Sequence, residues 1–177
     1  MCPSTRLWLL VLGCIAALPA LAGAPMLREN CVAADRQPVP IRYDVTIRFF
    51  AEARVIQASE RAAAAQRGVP PAAIYINPER YFLGERTQQW LYQRQCVHIQ
   101  QGHRIAIHGE PALEPAEEEK ADCEGLRVLT KGDPAAVRML RLSIESDLQR
   151  VLRENRWPQV LPGPPRVVAF DRCVPRL

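Results

Sequence analysis

Three stretches of the chain carry side chains that could do chemistry together: Arg94-Gln95-Cys96-Val97-His98, the pair Gly102-His103 that follows, and Glu117-Glu118-Glu119 with Asp122-Cys123 just beyond. Residues four apart on a helix project within about 40° of each other. Arg94 and His98 therefore share one direction, and Glu118 and Asp122 share another. Two antiparallel helices joined by a short loop would bring these four side chains into one cluster. Histidine and carboxylates are donors that a zinc ion takes, and arginine with carboxylates makes fork-shaped ion pairs. His103 lies five residues past His98, about 140° round the helix, so the two cannot form a helical chelate. His103 reads as a residue at the helix C-terminus and His108 as a loop residue. The glutamate run also has a simpler reading, an acidic helix start favoured by the macrodipole.

The order and spacing of these groups resemble a set of secreted bacterial zinc metallopeptidases, whose pattern is H-E-C-x-H, a nearby G-H, and then E-x-x-A-D-C. Ile74-Tyr75-Ile76-Asn77-Pro78 fits as well, because such proteins place a strand and an Asn-Pro turn before the metal helix. The resemblance covers residues 73–130 and implies a zincin-like fold. It aligns His98 with the second histidine ligand, Glu118 with the third ligand, and Asp122 with a carboxylate that orients a histidine. The chain departs from the pattern at two decisive places: the first histidine is Arg94, and the general base is Gln95. Arginine keeps its proton in a protein and repels a divalent ion, and glutamine has no basic oxygen to take a proton from water. Loss of a base alone costs about 10²–10⁴ in rate. Only His98 and Glu118 remain as metal ligands, where catalytic zinc sites use three.

The expectation is therefore a catalytically inactive, metal-free relative, with Arg94 in place of the metal's charge and paired with Glu118 and Asp122. A peptide or protein bound in the former cleft is the expected partner. Two alternatives stand beside it. One is an active zinc metallopeptidase with rearranged ligands; the other is a structural, disulfide-stapled exported protein unrelated to peptidases.

The elements that must position these groups follow from periodicity. Val45, Ile47 and Phe49 alternate with polar neighbours, so 41–50 reads as a strand, and the Ala-, Glu- and Arg-rich run 51–67 as a helix ended by Gly68. Ala73–Ile76 reads as a short buried strand. A helix is expected from Glu85 to about Ile107, with Leu91, Arg94, His98, Gln101 and Ile105 on its core-facing stripe. A loop over 109–116 leads to a helix over 117–129. Asp133-Pro134 supplies N-cap and N1 of a third helix reaching Asn155, and a last strand is expected over 167–170. There is no repeat and no internal linker, so 25–177 reads as one α+β domain.

The first 24 residues read as a signal peptide: Arg6, an apolar run from Leu7 through Leu18 broken by Pro19, and small-x-small cleavage patterns at Ala20-Leu21-Ala22 and Ala22-Gly23-Ala24. The apolar run continues past Cys14, which argues against lipid attachment there. Without the leader the net charge is +3, against +4 for the whole chain, and the cations are scattered among acids. That balance does not indicate nucleic acid. No second stretch is apolar enough to cross a bilayer, so the expected location is the periplasm or outside the cell. Of the six cysteines, Cys31, Cys96, Cys123 and Cys173 lie beyond the leader. In an exported chain they read as two disulfides with three possible connectivities. The peptidase resemblance implies Cys96–Cys123, leaving Cys31–Cys173. Against it, Cys96 lies about 180° from the mean direction of Arg94 and His98, so either the helices cross obliquely or Cys96 pairs with a terminal cysteine.

Overall fold

The computed structural model describes residues 30–80, 82–102, 115–161, 168 and 170–173. The expected leader, His103, His108 and residues 109–114 of the expected loop lie outside the described residues. Strand β1 (Ile41–Tyr43), strand β2 (Ala51–Val55), helix α1 (Arg61–Gln66), strand β3 (Ala72–Ile76) and helices α2 (Glu85–Gln100), α3 (Pro115–Thr130) and α4 (Pro134–Arg153) make an α+β fold. The sheet order is β1-β3-β2, with β1 parallel and β2 antiparallel to β3.

The expected strand over 41–50 and helix over 51–67 are corrected here. The strand stops at Tyr43, where Asp44 Oδ1 accepts hydrogen bonds from the Thr46 amide (2.8 Å) and hydroxyl (2.6 Å) and turns the chain. The next five residues form β2 rather than a helix. Ala51 and Ala53 point into the core while Glu52 and Arg54 point outward, a period of two that burial enforces over the helical propensity of Ala, Glu and Arg. Only the end of the expected helix survives, as α1. Buried Asn77 holds the 44–49 turn in place: its Nδ2 donates to the carbonyls of Val45 (3.1 Å) and Ile47 (2.8 Å).

Helix α2 lies between the sheet on one side and α3 and α4 on the other. It is buried on nearly every side although it carries Thr87, Gln88, Gln93, Arg94, Gln95 and His98. Such a helix is tolerable only if its polar groups find partners inside the protein. Gln88 donates to the Leu83 carbonyl (2.6 Å), Gln93 to Asn30 (2.7 Å), and Thr87 to Asp147 of α4. Asp147 also accepts from the Gly84 amide at 2.9 Å, so a carboxylate from α4 caps α2 at its N-terminus. The helix ends at Gln100, short of the expected Ile107, because Gly102 takes a left-handed φ of 65° and closes the last turn. Pro115 and Ala116, expected in the loop, open α3. Asp133 caps α4 through the Ala135 amide (3.0 Å), as its sequence predicts, and Leu152 in the last turn faces solvent. Of the expected last strand, 167 and 169 lie outside the described residues, and Phe170 instead begins a 3-10 turn to Arg172.

Two disulfides tie the ends of the described chain to the helix pair, Cys31 to Cys96 and Cys123 to Cys173. This overturns the pairing that the resemblance implied. With Arg94 directed at α3, Cys96 is carried to the opposite side of α2, where the segment around Cys31 arrives. The Cys31 amide there donates to the Tyr92 hydroxyl at 3.2 Å. On the other side, Phe170 packs edge-on against Trp90 (centroids 5.4 Å apart), which places Cys173 beside α3.

Candidate functional site

Arg94 is the centre of the cluster that the spacing predicts. Its Nε donates to Asp122 Oδ1 at 2.7 Å, and its Nη2 contacts Glu118 Oε2. Both carboxylates come from consecutive turns of α3, so one guanidinium is held by two anions four residues apart. Arg94 is 1% exposed, Asp122 is buried, and the Glu118 side chain reaches the rim at 14%. The approach of the two helices depends on Gly125: a Cβ there would lie 3.2 Å from the Arg94 amide nitrogen. The Trp90 indole N–H adds a second link, donating to the Asp122 carbonyl at 3.1 Å.

Gln95 and His98 follow Arg94 on α2 and are also buried, at 6% and 1% exposure. Gln95 turns toward the sheet, where its Oε1 accepts from the Ala53 amide at 3.2 Å. That amide belongs to a β2 residue whose backbone polar groups are directed away from β3, so Gln95 closes part of the free edge of the sheet. His98 follows Arg94 by one turn of α2. The acidic start of α3 divides its labour: Glu118 meets Arg94, and Glu119 pairs with Arg172 at 3.3 Å near the chain end.

The donor set does not fit zinc. The two carboxylates that could ligate an ion already hold a cation that cannot be deprotonated, and a divalent ion beside it would be repelled. Among the described residues no group of three His, Cys, Asp or Glu side chains is placed to hold a metal ion. What the arrangement does chemically is neutralise two carboxylates inside the protein and fasten α2 to α3.

A second arginine cluster, which the sequence reading missed, lies on the outer face of the sheet. Arg54 Nε donates to Glu52 at 2.8 Å, Asp44 is 3.7 Å from its Nη1, and its guanidinium lies 4.2 Å above the Tyr75 ring. Burial pulls the Arg54 pKa down, but the hydrogen bond and charge of Glu52 outweigh it, so the group titrates above its ordinary value. The hydrogen bonds from Thr46 hold Asp44 below the usual aspartate range. The signal for this cluster is the alternation Ala51-Glu52-Ala53-Arg54-Val55, which puts Glu52 and Arg54 on one face once the run is read as a strand.

Compared with protein-family models, curated proteins and solved structures, the chain matches none of them. Its two disulfides point to an oxidising compartment outside the cytoplasm, and among the described residues no helix is long and apolar enough to cross a membrane.

Proposed function

We propose that the chain is a catalytically inactive relative of secreted zinc metallopeptidases, zincin-like in fold and exported to the periplasm or beyond by a leader over 1–24. One observation carries this reading: Arg94, at the position of the first histidine ligand of the peptidase pattern, holds the carboxylates aligned with the third ligand and its neighbour. The environment of Gln95 supports it. A residue in the place of the general base is buried, and its side-chain oxygen is taken up by the Ala53 amide of the sheet. The role left to such a chain is binding, with a peptide or protein seated over the rim where Glu118 reaches the surface. Burial of Arg94, Gln95 and His98 also favours a second reading, a disulfide-stapled structural protein with no peptidase ancestry.

Zinc loading followed by dialysis and metal analysis separates the two. The proposal expects no retained zinc in the native protein and about one zinc in an Arg94→His/Gln95→Glu variant that keeps its helical circular dichroism. A folded double variant without zinc would favour the structural reading. Stoichiometric zinc in the native protein, with chelator-sensitive hydrolysis, would restore the enzyme.

A further inference from the structure

The outer face of the sheet carries a cavity of about 640 Å³. That is within the size of small-molecule sites, roughly 300–1,000 Å³. It lies across the sheet from α2 and is independent of the reading proposed above. Tyr75, Arg54 and Glu52 form its floor, and Phe49, Ile56 and Val69 contribute apolar walls. One wall is the 44–49 turn, which Asp44 and Asn77 hold from within. The site is therefore ordered by groups of the fold rather than by a ligand.

Its chemistry is specific. The Arg54 guanidinium is held flat over Tyr75 with Glu52 on its edge, and 37% of its side chain is open, facing the cavity. A guanidinium in that position stacks on a second aromatic ring as readily as on the first. Because Glu52 and Asp44 already balance Arg54, it offers a ligand a surface more than a charge. The charges on offer belong to Arg48 and Glu60. Both line the cavity, and neither makes an ion pair or side-chain hydrogen bond with another described residue. Arg48 suits a carboxylate and Glu60 an ammonium group.

We propose that this cavity binds a free aromatic amino acid, its ring stacked on Arg54, its carboxylate at Arg48 and its ammonium group at Glu60. The test titrates the oxidised full chain with L-phenylalanine, 3-phenylpropionate and phenethylamine, following Tyr75 ring and Arg54 Nε–H resonances by NMR. Saturable shifts with L-phenylalanine at millimolar concentration are expected. Arg48→Gln should weaken L-phenylalanine and 3-phenylpropionate by about tenfold, and Glu60→Gln should weaken L-phenylalanine and phenethylamine by a similar factor. Both residues lie on the surface, so the variants keep the native spectrum. Absence of saturable shifts with all three probes would overturn the proposal. So would affinities unchanged by both substitutions, or 3-phenylpropionate and phenethylamine each binding as tightly as L-phenylalanine.

Discussion

Arg94 and Arg54 each lie between a glutamate and an aspartate, on opposite sides of the same sheet, and the molecule uses them in different ways. Arg94 has no solvent around it. Two carboxylates of α3 meet it, and the three groups together close the space between α2 and α3. Arg54 stands at the surface, with one carboxylate in hydrogen-bond contact and the other at 3.7 Å, and it opens onto a cavity. In water the two triads would be nearly equivalent. Burial makes the first one costly to break and leaves the second available to other partners, because desolvation, rather than the Coulomb attraction alone, fixes what removing a charge costs.

The comparison breaks most plainly at Arg94. Arg94→Ala strands the buried Asp122 carboxylate and the part-buried Glu118 and should lower unfolding free energy by about 3–5 kcal/mol in urea titrations. A loss no larger than that of a surface substitution would remove the distinction. Next in size is Gly125→Val, which sets a branched side chain against the Arg94 backbone and should cost about 1–3 kcal/mol. An unchanged melting temperature there would mean that the helices can separate without harm. Arg54→Ala should cost less than about 1 kcal/mol, since an exposed pair is screened by water. The smallest effect is a titration. Asp44 should show an NMR midpoint below its ordinary 3.8, moving upward in Thr46→Val. Its depressed pKa contributes stability above the unfolded value and loses it as pH falls through the folded one. A midpoint unaffected by Thr46→Val would assign the shift to the backbone amide at position 46, which the variant keeps, and to Arg54.

How much of this was legible from the residues depended on whether contacts lie within one helix or between distant segments. Arg94 with Glu118 and Asp122 was legible because helical spacing fixes which side chains share a direction, and a charged residue on a core-facing stripe demands a countercharge. The Asp133 cap was legible for the same local reason. The disulfide partners were not, because the resemblance pairs Cys96 with Cys123 while the direction of Cys96 depends on which side of α2 faces α3. Strand β2 was hidden by composition: Ala, Glu and Arg favour helices, and only the neighbouring β3 makes their alternation decisive. The outer cluster was hidden with it, since Arg54 and Tyr75 meet only through the pairing of β2 with β3.

The most direct test is a pair of double-mutant cycles by urea denaturation, one on Arg94 and Asp122, the other on Arg54 and Glu52, with methionine replacing each arginine and the amide replacing each acid. The account predicts a coupling of about 2–3 kcal/mol for the buried pair and less than about 1 kcal/mol for the outer one. Equal couplings, or a stronger one at Arg54, would contradict the claim that Arg94 is the cation on which the joined helices depend.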